Sequence, residues 1–353
     1  MMKLEERKAA FVALGKFLSQ FSRKGIQQKT KGAQETVFFE AFKMQINRSK
    51  EHNAWFTKDN VLFAIENWSK ALTEENLDQW LKPYHFDNHF SKTVAVIMAG
   101  NIPLVGFHDF LSVLISGHRI LVKLSSNDKY FLPLITKYLE YYNPKFKEIV
   151  TFGEKELDGF KAVIATGSNN TARYFDYYFK QYPHIIRHSR NAVAVLSGKE
   201  SDLALERMTD DIFHYFGLGC RSISKVFIPK DYDLDNIFKA VFKHKGLLQY
   251  DRYKNNYDYN KAIYLMSLFD IRENGFLLLK EDAGYASPIA TLFYEYYDNT
   301  KSLEAKLTAD ADKIQCISSE LDIPGSIGLG KAQTPKLWDY ADGIDTLDFL
   351  LKI

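Results

Sequence analysis

Cys220, in FHYFGLGCRSISKVFIP, is the residue of this chain best suited to covalent chemistry. Glycines stand near it on the N-terminal side, Gly217 and Gly219, and a β-type run, SKVFIP, follows at once. A thiol that attacks a bulky carbonyl needs backbone that can come close, and glycine, lacking a Cβ, supplies it. The chain has only two cysteines, so one on a glycine-rich turn reads as a candidate nucleophile. The competing role is that of a small buried hydrophobe. Cys316, in DKIQCIS, falls in an alternating pattern and reads as that kind of inward-packed residue.

Three other segments have types and spacing suited to binding. In MAGNIPL, Asn101 stands between an apolar run and a helix start, where its amide can donate to a developing oxyanion. It can equally cap the helix. In VKLSSND, Lys123 ends an apolar strand, a costly place for a charge without a partner. A dinucleotide's ribose hydroxyls or phosphate would serve as that partner; solvent, reached by snorkelling, is the alternative. In ATGSNNTARYF, Gly167 and Ser168 form a strand-to-helix turn whose backbone amides can bind an anion. No GxGxxG fingerprint occurs.

The elements that must position these residues are legible in the periodicity. Residues 1–90 read as helical: AAFVALGKFLSQF sets Phe11, Leu14, Leu18 and Phe21 at helical spacing, and NVLFAIENWSKAL and ENLDQWL look similar. From residue 93 the character changes to apolar strands, TVAVIMA, RILVKLS, KAVIATG and NAVAVLSG, alternating with helical stretches. The helix after the first strand is predicted to have Pro103 near its start and Gly117 near its end. Such alternation predicts a parallel, doubly wound sheet. A second unit is predicted from about residue 197, with the helix DLALERMTDDIFHYF running into the Cys220 turn. SKVFIP, FLLLKE and SPIATLFYEYY are predicted as its further strands.

With 353 residues, 46% hydrophobic and a net charge of +2, the chain has ample core material and no charge bias toward nucleic acid. Two distant cysteines make no disulfide framework, no apolar run reaches membrane-spanning length, and the mixed-charge N-terminus lacks a signal-peptide pattern. The expected location is the cytoplasm.

Taken in order, the segments resemble the aldehyde dehydrogenase superfamily. MAGNIPL resembles the turn whose asparagine lines the oxyanion hole, and VKLSSND the Val-Lys-Pro-Ser-Glu strand end that holds the adenine ribose. ATGS resembles the Thr-Gly-Ser cofactor turn and FGLGC the Gly-Gln-x-Cys nucleophile loop. More narrowly, the tail IGLGKAQTPKLWDYADGIDTLDFLL resembles the Pro-Leu-Gly-Lys, Gln-x-Pro and Trp-x-x-x-Asp-Gly ending of the LuxC-type fatty acyl-CoA reductases known from bacterial luminescence. The resemblance implies an α/β, aldehyde dehydrogenase-like fold with two doubly wound domains. A helical segment over 1–90 would pack on a dinucleotide-binding domain over 91–196. A catalytic domain would follow over 197–324, and a tail over 325–353 would return to the cofactor domain. It implies Cys220 and Asn101 as catalytic residues, and Lys123, Ser125, Ser126, Gly167 and Ser168 as cofactor contacts. No metal is called for. The implied reaction is reduction of an acyl thioester, on CoA or a carrier protein, to an aldehyde through an acyl-cysteine; assembly into a homo-oligomer is left open.

Three departures refine this. Oxidising relatives carry a glutamate in Glu-Leu-Gly-Gly-Lys that activates water; the matching HIIRHSRNAVAVL has no carboxylate, which favours reduction of an activated acyl group. Ser126 replaces the glutamate that would bind the ribose 2′-hydroxyl, which removes repulsion against a 2′-phosphate and favours NADPH while admitting NADH. SPIATLF lacks the glutamate of Glu-x-Phe-Gly-Pro. Arg187, His188 and Arg190 crowd the place of the absent base; they are either auxiliaries to Cys220 or a phosphate, or a solvated basic turn. An oxidative aldehyde dehydrogenase, an acyl-phosphate reductase and a catalytically silent scaffold are the rival readings.

Overall fold

Strands β3 (Thr93–Ile97), β4 (Arg119–Lys123) and β6 (Ala162–Thr166) are almost wholly buried, as their unbroken apolar runs require. With β5 (Val150–Phe152) and β7 (His184–Arg187) they form a parallel sheet of order β5-β4-β3-β6-β7. The computed structural model describes residues 2–29, 32–86, 90–153 and 157–353. The chain divides into unit 1, residues 1–188 and 336–353, and unit 2, residues 189–335.

In unit 1 the alternation of side chains sorts the sheet onto two cores. Val94, Val96, Ile120, Val122, Ile164 and Ile185 face one core, which also takes α1 (Leu4–Leu18), α2 (Ala33–His52), α3 (Lys58–Ala71), α4 (Glu74–Leu81), α5 (Phe107–Ser116) and α6 (Phe131–Tyr142). Ala95, Leu121, Val163, Ala165 and Ile186 face the other, under α7 (Asn169–Phe179). Phe17 anchors the helical layer, its ring 5.1 Å from that of Phe42 and 4.4 Å from that of Tyr138. A two-residue hairpin, β1 (Phe21–Ser22) with β2 (Gly25–Ile26), interrupts the expected all-helical N-terminal stretch.

The last helix, α12 (Thr346–Lys352), returns to unit 1. Buried His118 holds it: the Lys92 N–H donates to Nδ1 at 3.0 Å, so Nε2 carries the proton and donates to the Leu350 carbonyl at 2.7 Å. Arg187, at the end of β7, is buried and donates to both Asp109 oxygens, at 2.6 and 3.3 Å, to Thr346 at 3.0 Å and to the Ala341 carbonyl at 2.9 Å. One guanidinium thus ties β7, α5 and the tail.

Unit 2 holds β8 (Asn191–Val195), α8 (Asp202–Phe213), β9 (Ile223–Pro229), α9 (Asp235–Val241), α10 (Asp251–Met266), β10 (Ile271–Glu273), β11 (Leu278–Glu281), β12 (Thr291–Tyr297), α11 (Thr300–Ala309) and β13 (Ile314–Ser319). Its sheet runs β10-β11-β12-β9-β8-β13, parallel except for β10. A fully buried lysine, Lys225, lies in β9; its ammonium donates to Glu295 on β12 at 2.6 Å and to the Asp282 carbonyl at 2.9 Å. Without those partners a buried charge there would be strongly unfavourable.

The units divide at 188/189, earlier than the sequence boundary at 196/197. NAVAV, read as the fourth strand of the first sheet, is β8 and pairs with β9 and β13 of the second. Its apolar run is equally at home in either sheet, so composition does not distinguish them. The tail also splits: residues 325–335 lie in unit 2 and 336–353 in unit 1.

Candidate active site

In unit 1, β4, β3 and β6 are adjacent and parallel, so their carboxyl ends lie side by side, and the strand order reverses between β3 and β6. Ligands bind at such reversals in open α/β sheets. Asn101 follows β3, Lys123 ends β4 with Ser125 and Ser126 after it, and Gly167 and Ser168 follow β6. The structure brings these six candidates to one edge.

Asn101 is exposed, on a turn over 101–106 that precedes α5. The helix begins at Phe107 with Gly106 at its N-cap, later than Pro103 implied, and Asn101 is not its cap. Leu104 sits at φ +58 and donates its N–H to Asp128 Oδ2 at 2.7 Å. That bond ties the Asn101 turn to the turn after β4. Burial pushes the Asp128 carboxyl up to about 6. At Gly100, a Cβ would lie 2.5 Å from Ser125 Oγ and 2.7 Å from its Cβ, so only glycine lets the two turns touch. Ser168 caps α7, its Oγ accepting from the Thr171 N–H at 3.3 Å.

In unit 2, Cys220 is exposed. The chain reaches it through three consecutive left-handed residues, Tyr215 at φ +53, Phe216 at +58 and Gly217 at +80. For the two aromatic residues this conformation costs about 1–2 kcal/mol each. Both rings are buried, which offsets it; Phe216 packs edge-on against Tyr250 at 5.0 Å. The turn closes with Leu218 N–H on the Tyr215 carbonyl at 3.1 Å and Ser222 N–H on the Gly219 carbonyl at 2.9 Å.

Asp211, near the end of α8, braces this turn from behind. It is buried, and its carboxylate accepts the Gly330 N–H at 2.8 Å. The backbone N–H groups of Ala332 and Gln333 also donate to it. The Gln333 amide donates to the Asp211 carbonyl and to Ser222 Oγ, each at 3.2 Å. Arg221 donates to the Ala332 carbonyl at 3.4 Å. Among the described residues no cation pairs with Asp211, and burial pushes its carboxyl up to about 6. Sequence reasoning missed Asp211 and Asp128. The signals were present, since Asp128 lies in VKLSSND and Gln333 in the GKAQTP tail motif.

Cys316 is on β13, and burial pushes its thiol up to about 11. The Arg221 side chain hydrogen-bonds to it. Of the basic cluster, Arg187 is turned inward to Asp109 in unit 1. His188 is half exposed, with Nε2 3.9 Å from Asp176. Arg190 donates to the Ala311 carbonyl at 3.1 Å in unit 2.

Among the described residues, no helix is long and apolar enough to cross a membrane. The fold is similar to that of aldehyde dehydrogenase 21 from Physcomitrella patens, solved with its product succinate. The two share 12% identity, with 99% of this chain and 84% of the other covered at a TM-score of 0.65. It is also similar to an aldehyde dehydrogenase from Mycobacterium tuberculosis complexed with NAD+, at 13% identity, 94% and 76% coverage and a TM-score of 0.60. At these identities the likeness establishes an aldehyde dehydrogenase-like fold. Among curated proteins nothing matches. A family profile described as acyl-CoA reductase (LuxC) matches residues 16–243, more than half of the chain and inclusive of the Cys220 turn. The chain belongs to the LuxC acyl-CoA reductase family.

Proposed function

We propose that this protein reduces an acyl thioester to an aldehyde with NADPH, through an acyl group held on Cys220. The observation that carries the reading is the family match running through an exposed cysteine on a glycine turn. The other thiol, on Cys316, is held protonated by burial and is no competitor.

The Cys220 thiolate attacks the thioester carbonyl, and the Asn101 amide and the Cys220 N–H hold the resulting oxyanion. One such donor is worth about 3–4 kcal/mol in the transition state. The carbon–sulfur bond to CoA breaks, CoA leaves as the thiol after taking a proton, and the acyl group stays on Cys220. The strand edge fits a nicotinamide dinucleotide. It offers the Lys123 ammonium, the Ser125 and Ser126 hydroxyls, and the Gly167–Ser168 turn at the start of α7. A dinucleotide held by these groups, NADPH in this reading, would supply hydride to the acyl carbon. Cys220 then departs as thiolate from the reduced carbon, releasing the aldehyde. HIIRHSRNAVAVL offers no carboxylate to activate water, so the acyl-enzyme survives until it is reduced. Ser126 supports NADPH over NADH.

The test is acyl-CoA alone, followed by intact mass. One acyl group should appear on the protein, map to Cys220 and vanish in Cys220→Ala. The same variant should lose all reductase activity and keep its NADPH affinity. A wild-type protein that takes up no acyl group under these conditions ends the scheme.

A further inference from the structure

Away from the strand edge, unit 1 has a second concave feature that the proposed reaction does not use. A cleft of about 370 Å³ opens between the β1–β2 hairpin, α2 and α3, lined by Ser22, Arg23, Gly25, Ile26, Lys43, Asn47, Lys58 and Leu62. Three of these are cations, and the acids nearby neutralise them incompletely. Glu66 lies 3.6 Å from the Arg23 guanidinium but 2.7 Å from Lys70, so much of its charge is engaged by a lysine outside the cleft. Glu40 reaches Lys43 at 3.4 Å, one turn along the exposed side of α2. Lys58 makes no ion pair among the described residues.

The cleft is shaped as well as charged. The Arg23 guanidinium lies over the Phe63 ring, 4.5 Å from its centre, which orients its donor fork. Asn47 adds amide donors, the Ser22 hydroxyl being already engaged by the Gly25 carbonyl at 3.1 Å, and Ile26 and Leu62 give an apolar surface for an organic body. Clustered lysine and arginine with neutral donors and an apolar wall recognise phosphate esters better than carboxylates, because a phosphate carries more charge and more acceptor oxygens.

We infer that this cleft binds a phosphomonoester on a small organic body, and that it is distinct from the cofactor contacts at the strand edge. The phosphate belongs either to the adenosine end of coenzyme A or to a separate phosphorylated metabolite. Helix α2 links the two places within unit 1: it lines the cleft with Lys43 and Asn47, and the Asn53 amide just past its end donates to the Asn127 carbonyl at 3.4 Å, beside the turn after β4.

The probe is adenosine 3′,5′-bisphosphate, titrated calorimetrically into the wild-type protein over a salt series. The comparison proteins are the Lys43→Glu/Lys58→Glu double variant, Arg48→Glu and Lys123→Ala. Arg48 is exposed on α2, pairs with Glu51 and does not line the cleft. Lys58 is the first residue of α3, where an acid suits the helix dipole, and the Glu40 pair that Lys43→Glu removes is exposed, so the double variant should fold with a melting temperature close to that of the wild type. Saturable, salt-sensitive binding is expected, about tenfold or more weaker in the double variant and unchanged in Arg48→Glu. No saturable binding, or binding untouched by the double variant and lost in Lys123→Ala, overturns the inference. Kinetics then separate the sources. A raised KM for acyl-CoA with an unchanged KM for acyl-pantetheine identifies coenzyme A. Unchanged KM values with lost bisphosphate binding identify an independent phosphorylated ligand. The binding arm needs no turnover, so its failure and the failure of acyl transfer to Cys220 are separate results.

Discussion

At the strand edge of unit 1 side chains close the turns, whereas around Cys220 the backbone itself is bent. Ser168 caps α7, Asp128 ties the Leu104 N–H, and Gly100 lets the Asn101 turn lie on Ser125. Of the candidates at this edge, none has a left-handed backbone. Three left-handed residues lead to Cys220, and the carboxylate of Asp211, joined to this turn through Gln333, accepts from the backbone N–H groups of Gly330, Ala332 and Gln333. The contrast fits the two tasks. The strand edge is assembled from strand-to-helix turns in which one residue, Leu104, is left-handed. The exposed Cys220 is reached by a backbone path that ordinary residues resist, and burying Tyr215 and Phe216 is what enforces it.

The buried charges do not follow this contrast, since each unit holds both a paired and an unpaired kind. Arg187 meets the Asp109 carboxylate in unit 1 and Lys225 that of Glu295 in unit 2, whereas Asp128 in unit 1 and Asp211 in unit 2 meet backbone N–H groups and, among the described residues, no cation. Arg187→Ala would strand Asp109 in the core and free the tail contacts at Thr346 and Ala341. Losing one partner of a buried pair costs about 3–5 kcal/mol. Urea denaturation should show that loss, and one under about 1 kcal/mol would mean the pair is dispensable.

Asp211 gives the next largest effect, and its sign is opposite to that of a salt-bridged carboxylate. Its carboxyl is raised from 3.8 to about 6, so between those values the folded protein binds more protons than the unfolded chain. Stability from this group is therefore highest at low pH and falls as pH rises from about 4 through 6, by on the order of 3 kcal/mol. Asp128 in unit 1 shifts in the same direction, so the wild-type profile alone does not separate them. Asp211→Asn does: its urea midpoints at pH 4.5 and 7 should lie closer together than those of the wild type. Equal spacing in the two proteins would show that Asp211 does not carry the slope.

These residues also mark where the sequence was legible. TVAVIMA, RILVKLS and KAVIATG announced parallel strands because burial on both faces leaves no polar alternation. The turns after them followed, since a ligand edge is a consequence of the topology. The assignment of NAVAV to a sheet was not legible, because which neighbours it finds is a long-range fact. Arg187 looked like a basic turn residue because the sequence does not show that Asp109, far along the chain, faces it. The left-handed Tyr215 and Phe216 were also hidden, for aromatic residues give no turn signal. Gly217 beside them was the only local hint.

Two glycines test the contrast directly, since one is needed for proximity and the other for conformation. At Gly217 a Cβ would meet only the Ile212 carbonyl at 3.5 Å, so there is room, but φ is +80. Gly217→Ala should cost about 1–2 kcal/mol through backbone strain, slow acylation of Cys220 and leave cofactor affinity alone. At Gly100 the added methyl would push Ser125 aside. Gly100→Ala should weaken NADPH binding several-fold, a loss that Gly217→Ala does not share. Cofactor titration and single-turnover acylation on both variants read the two effects. If Gly217→Ala weakens the cofactor or Gly100→Ala spares it, the two regions do not divide the work in this way.

The effect on cofactor choice concerns Ser126, exposed on the turn after β4. A carboxylate there would face the ribose 2′ position if the strand edge holds the dinucleotide as proposed. Two unit charges about 4 Å apart in water repel by about 1 kcal/mol, and a 2′-phosphate carries more than one charge. Ser126→Glu should therefore weaken NADPH by about tenfold. NADH has no phosphate to repel, and its ribose hydroxyl can donate to the new carboxylate, so its affinity should hold or rise. The ratio of the two dissociation constants, taken from quenching of protein fluorescence, is the readout. High salt should shrink the change in that ratio, because the site is exposed and the effect is electrostatic. A ratio that stays at its wild-type value at low salt would place the ribose elsewhere and remove the argument that serine at this position selects the phosphorylated cofactor.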